Sequence, residues 1–196
     1  MKRVLLLLAP GFEDAEAAVA LTACAWSAYR PALPEITVDV AAFDGHAQGK
    51  FGSVYEADVL VGDVDADAYD ALVIPGGFRN AGFERIYCED VYKIIRAMHA
   101  KGAPIATMCV GVLSVARADV LKGGSATTYE FSRHSNYAIL EECGVAGVHE
   151  PVHVCDGVCS CAGPAYSEDV MHWLLGKLLG EEAAEELATF RRGISG

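Results

Sequence analysis

The chain of 196 residues reads as a doubly wound α/β domain, a mostly parallel sheet with helices on both faces. Three observations lead there. Short strand-type runs alternate with helix-period patterns along the whole length. Those runs are apolar almost without interruption, as in "ALVIPGGF" and "APIATM", which is how strands buried on both faces read. No repeat, low-complexity linker or compositional break divides the chain, so residues 1–196 are taken as a single domain.

The elements follow in order. Val4 to Leu8 is the first strand, and Glu13 to about Tyr29 a helix with acidic residues in its first turn, where the helix dipole favours them. Pro31 and Pro34 break the chain before a second strand, Ile36 to Phe43. "SVYEADVLVGDV" holds one or two short strands, and "ALVIPGGF" is a buried strand ending at Pro75 to Gly77. Glu89 to Ala100 is a helix with Val91, Ile94, Ile95 and Met98 on one face. "APIATM" is the next strand and Val110 to Leu121 the next helix; "SATTY" is strand-like, and Phe131 to Cys143 is helical up to Gly144. A hairpin turns at Asp156, and Val170 to Leu179 and Glu182 to Phe190 are closing helices.

Composition narrows the function. Hydrophobic residues make up 53% and charged residues 21%, a globular balance with a large core. The net charge of −12 and pI of 4.8 argue against a nucleic-acid partner, whose phosphates would be repelled, and against an anionic membrane. The start, "MKRVLLLLAPGF", mimics a signal peptide, but only Val4 to Ala9 are uninterrupted, which suits a buried strand and a cytoplasmic protein. Seven cysteines, an odd number, argue against a disulfide framework. In "CDGVCSC" the thiols of Cys155, Cys159 and Cys161 suit a soft metal or a redox pair; buried positions of a hairpin are the preferred reading, and no metal is assigned. "PGGFRNAG" is not G-x-G-x-x-G, and "GHAQGK" is one residue short of a phosphate loop, so no nucleotide or other cofactor is expected.

Three segments at strand ends carry chemistry, since ligands of such sheets sit beyond the carboxyl ends. In "PIATMCVGV" a strand hands over to a helix at Cys109; either this projects the thiol into the sheet's mouth, where the start of the helix is expected to favour thiolate, or the residue is a buried inert cysteine that ends a strand, and this stretch alone leaves both open. In "GFEDAE", Glu13 and Asp14 complement the helix dipole. Glu16 lies on an otherwise apolar helix, where desolvation would keep its carboxyl protonated and able to act as a general acid. The N–H groups of Gly76 and Gly77, with that of Val110, form a candidate oxyanion site.

"GFEDAE", "ALVIPGGF", "IATMCVGV" and the late "CAGPAYSEDVMHWLLGKLLG" together resemble the ThiJ/PfpI superfamily. The match is best to the branch of the parkinsonism-associated redox protein and bacterial deglycase-like relatives, and it runs from Lys2 to about Phe190. The resemblance implies a flavodoxin-like sandwich, a homodimer, a reactive cysteine at Cys109, an acidic partner at Glu16 and a glycine pair at Gly76 and Gly77. Many members place a histidine after the strand that follows the elbow helix; here Tyr129 stands there, and a phenol with a reference pKa of about 10 is a poor base. His134, five residues on, is the other candidate third member. The amidotransferase pattern is not met, because Thr107 and Leu113 occupy its glycine and glutamine positions. The expectation is therefore a cysteine-dependent enzyme acting on a small reactive carbonyl, glyoxalase or deglycase-like. A redox sensor or stress chaperone, oxidised at Cys109 beside Glu16, is the alternative, and a peptidase or amide hydrolase ranks last.

Overall fold

The computed structural model describes residues 1–130 and 135–193. Its strands are β1 (Lys2–Leu8), β2 (Ile36–Ala42), β3 (His46–Gln48), β4 (Val54–Glu56), β5 (Val59–Leu60), β6 (Ala71–Ile74), β7 (Ile105–Met108), β8 (Ser125–Ala126), β9 (Ala146–Gly147), β10 (Val152–Cys155) and β11 (Val158–Cys161). Its α-helices are α1 (Asp14–Ala25), α2 (Glu89–Ala100), α3 (Val112–Arg117), α4 (Asn136–Glu142), α5 (Ser167–Leu179) and α6 (Glu181–Arg191).

One sheet of seven strands runs in the order β10-β11-β7-β6-β1-β2-β5. Every neighbouring pair is parallel except the hairpin of β10 and β11. Alternation within β1 explains its unbroken apolar sequence, because both faces are covered. Val4, Leu6 and Leu8 pack with Ala17 and Ala20 of α1, Leu174 of α5 and Leu187 of α6. Leu5 and Leu7 pack on the other side with Ile95 and Met98 of α2, Val115 of α3 and Leu140 of α4. After β1 the chain builds outward through β2 and β5, then returns to the far side of β1 with β6. The order reverses between β1 and β6, and such a reversal opens a crevice at the carboxyl ends.

The doubly wound, mostly parallel fold and most elements match the sequence reading. Val91, Ile94, Ile95 and Met98 of α2 are all buried. The hairpin turns on Asp156 and Gly157, both at positive φ (47° and 76°), as a two-residue primed turn requires. The elbow helix is shorter than expected. Cys109–Gly111 form a 3-10 turn, α3 ends at Arg117, and Asp119 turns left-handed at φ 61°. "GHAQGK" supplies β3, which pairs with β4, and "SATTY" contributes only β8, paired with β9. The expected helix from Phe131 begins at Asn136, where Ser135 Oγ accepts the Ala138 N–H; residues 131–134, His134 among them, lie outside the described residues. Among the described residues no helix is long and apolar enough to cross a membrane.

Candidate active site at the carboxyl ends of three strands

Strand β7 ends extended at Met108, and Cys109 then takes φ 53°. A non-glycine residue in this region costs about 1–2 kcal/mol, so neighbours must hold it there. Thr128 Oγ1 donates to the Cys109 carbonyl at 3.1 Å, and Ser114 Oγ donates to that of Gly111 at 2.7 Å. Gly111 brings the turn against the end of β6. A Cβ on it would run into the Ile74 carbonyl oxygen and stand 2.9 Å from that of Pro75, both backbone atoms that cannot move aside cheaply. Gly111 has an ordinary φ of −58°, so space alone requires glycine. Gly111→Ala should therefore destabilise the fold by roughly 1–3 kcal/mol in urea denaturation; an unchanged midpoint would show that the elbow is not packed on β6 as described.

Helix α1 begins beside this elbow. Glu13 caps it, its side chain accepting the Glu16 N–H at 2.8 Å, and its own N–H donates to the Gly76 carbonyl at 2.9 Å. Phe12 and Gly77 form an antiparallel bridge, with the Phe78 N–H donating to the Gly11 carbonyl at 2.9 Å. These bonds tie the carboxyl end of β1 to that of β6 and carry Glu16 over the crevice. Glu16 is fully buried (0% exposed). Its Oε2 accepts the Gly76 N–H at 2.6 Å, and its Oε1 has no hydrogen-bond partner among the described residues. Gly76 faces the thiol; a Cβ there would stand 2.7 Å from Cys109 Cβ and 3.1 Å from its sulfur. A Cβ on Gly77 would run into the Phe83 ring and lie 2.7 Å from the Gly11 carbonyl oxygen.

Burial dominates the electrostatics. Desolvation lifts the Glu16 carboxyl to about 8; the Gly76 N–H opposes this and the Glu13 charge adds to it. Near neutral pH the acid is mostly protonated, as its apolar helix face suggested. The expected depression of the Cys109 pKa is not found. Burial pushes this thiol well above its ordinary value, the Glu16 charge pushes the same way, and the Val110 N–H facing the sulfur opposes both. The physical reason lies in the elbow, where a single 3-10 turn and the six residues of α3 supply too little dipole to outweigh desolvation. Both groups are thus held mainly in their neutral forms near neutral pH.

Of the residues singled out from sequence, Cys109, Glu16, Gly76, Gly77 and Val110 converge here. Gly76 departs from its expected part, because its only N–H is committed to Glu16 and is unavailable to an oxyanion. The Gly77 N–H has no backbone acceptor among the described residues. Gly77 and Val110 line a cleft of about 660 Å³ together with Phe78, Leu113, Asn136 and Tyr129. Tyr129 sits at the rim, 39% exposed, its ring against Gly163 and its carbonyl accepting from Asn136 Nδ2. Sequence reasoning missed two neighbours of Cys109. One is Thr128, which anchors its carbonyl. The other is Cys161, read as hairpin core. It is indeed fully buried, but β11 lies parallel to β7 with Cys161 level with Met108, and the Cys109 N–H faces the Cys161 sulfur. Only the pairing of β11 with β7, not a local motif, reveals that neighbour.

Comparison with known proteins shows the family and the fold. The DJ-1/PfpI family model matches residues 2–176. A deglycase of Thermococcus kodakarensis is 36% identical over 127 residues, covering 64% of this chain and 71% of the relative. The deglycase PfpI of Pyrococcus furiosus is 34% identical over 129 residues, covering 65% and 72%. Among solved structures, a DJ-1 superfamily protein of Salmonella typhimurium superposes with a TM-score of 0.80 at 22% identity, covering all of both chains. Drosophila melanogaster DJ-1beta gives 0.79 at 21%, covering 100% and 99%. At these identities the two structures speak to the fold alone.

Proposed function

The chain belongs to the DJ-1/PfpI family, and from that premise we propose that it is a cysteine-dependent enzyme acting on small reactive carbonyls, of glyoxalase or deglycase type. One observation carries the reading: a cysteine, partly exposed as a residue, at a strained elbow beside a fully buried carboxyl with one oxygen held by Gly76 and the other unpaired among the described residues. The archaeal relatives that carry the name deglycase favour the same chemistry.

The steps follow from the proton that the carboxyl can take from and return to its surroundings. Ionised Glu16 takes the thiol proton as the Cys109 sulfur attacks the aldehyde carbon of a 2-oxoaldehyde. The carbon–sulfur bond forms, and the carbonyl oxygen, held by the Gly77 and Val110 N–H groups, takes up a proton to give a hemithioacetal. Glu16 then moves the proton of that carbon to the neighbouring carbon, while the hydroxyl proton passes to the neighbouring oxygen through an enediol, which converts the adduct to a 2-hydroxy thioester. Water cleaves the thioester, releases a 2-hydroxy acid and restores the thiol. The net change is addition of one water, so no cofactor is required by the balance. For an early adduct of an amine the same attack releases the amine. The test is to incubate purified protein with methylglyoxal, and with a methylglyoxal-treated amine, and to measure lactate. Steady formation above the protein-free rate is expected; no turnover on either substrate removes the reading.

A further inference from the structure

We propose that Cys161 is the resolving thiol of Cys109, and that the two close a reversible disulfide when the site meets peroxide. The inference rests on Cys109 being the reactive sulfur of the proposed function, but not on the carbonyl chemistry.

Position carries it first. Parallel strands lie about 4.8 Å apart with a rise of about 3.3 Å per residue. Cys161 is level with Met108, and Cys109 is the next residue, so their Cα atoms fall about 6 Å apart, within the span a disulfide bridges. The Cys109 N–H faces the Cys161 sulfur, which agrees with that placement. The other cysteines lack this relation. Cys159 is level with Ala106, one pleat deeper; Cys88, Cys143 and Cys155 pack into the opposite layer; Cys24 sits on α1.

Access fixes the order of events. Cys109 is partly exposed, whereas Cys161 is fully buried and donates its S–H to the Gly163 carbonyl at 3.4 Å. Peroxide therefore reaches Cys109 first. As ionised Glu16 takes the thiol proton, the Cys109 sulfur attacks one peroxide oxygen; the sulfur is oxidised to a sulfenic acid as the O–O bond is reduced and hydroxide leaves. The Cys161 sulfur then displaces the sulfenic oxygen. The S–O bond breaks, the S–S bond forms, and the Cys161 proton leaves with the hydroxyl as water. No further oxidant is consumed, and a dithiol reductant restores both thiols. The unpaired Oε1 of Glu16 lies in this same cluster and can carry the proton between the sulfurs. Without Cys161, a second peroxide would carry Cys109 on to sulfinate, which thiols do not reverse.

The experiment treats the purified protein with one to two equivalents of hydrogen peroxide, blocks free thiols with iodoacetamide and maps peptides by mass spectrometry. Wild type should lose about 2 Da, show a peptide pair joining Cys109 to Cys161, and return to its starting mass with dithiothreitol. Cys161→Ser should instead gain about 32 Da at Cys109, with at least about tenfold more sulfinate than wild type, while Cys159→Ser should keep the cross-link. Sulfinate at Cys109 in wild type with no cross-link, or a cross-link to another cysteine or between chains, overturns the proposal. Wild type alone decides it, so a poorly folded variant does not blur the result. Absent lactate formation with an intact cross-link would remove only the carbonyl reading, and turnover without a cross-link would remove only this one.

Discussion

Glutamine at position 16 should leave the protein more stable than wild type above neutral pH and nearly inactive. The stability part follows from the pKa of a buried carboxyl. In the unfolded chain Glu16 ionises at about its ordinary value of 4.5, and in the folded chain only at about 8. Between those values the unfolded state gives up a proton that the folded state keeps, so folding grows less favourable as pH rises. The slope is about 1.4 kcal/mol per pH unit, or roughly 3 kcal/mol lost by pH 7, and the loss stops once pH passes the folded value. Glutamine is neutral throughout and can still accept the Gly76 N–H. Urea denaturation should find the two proteins alike near pH 4.5 and wild type behind by about 3–5 kcal/mol at pH 8; parallel curves would mean that Glu16 is not desolvated. The activity part follows from the proton that glutamine cannot hold. Turnover should fall by about 10²–10⁴, and the rise of the wild-type rate toward pH 8 should vanish in the variant.

Alanine at position 109 should abolish turnover, with a loss of at least about 10³-fold in lactate formed from methylglyoxal, because the proposed carbon–sulfur bond is made by this side chain. The fold should barely respond. Alanine keeps the Cβ that Gly76 faces and the same left-handed backbone, and gives up only one sulfur, worth about 1 kcal/mol. Thermal unfolding recorded beside the assay separates the two effects. Wild-type rates in the variant would move the chemistry to another residue.

The layers and the site's centre were legible in sequence because each left a local trace. Unbroken apolar runs marked the buried strands, the Asp156–Gly157 pair marked the hairpin, and a thiol at a strand end followed by Gly111 marked the elbow. What escaped depends on pairs distant in sequence. Strands β8 and β9, of two residues each, exist only because they pair with one another. The commitment of the Gly76 N–H to Glu16 spans 60 residues, and the placement of Cys161 beside Cys109 needs the register of β11 on β7. The sign of the thiol's pKa was misjudged because the sequence displays a helix start plainly and the depth of burial hardly at all.

The bridge between Phe12 and Gly77 has a consequence for how such a protein can diversify. Acid, glycine and thiol are fastened to neighbouring strand ends by main-chain bonds and by contacts that leave no room for even one methyl group. Substitution at the centre thus breaks the arrangement before it can retune it. The periphery is left free to vary, at Phe78 and Tyr129, whose side chains border the open cleft.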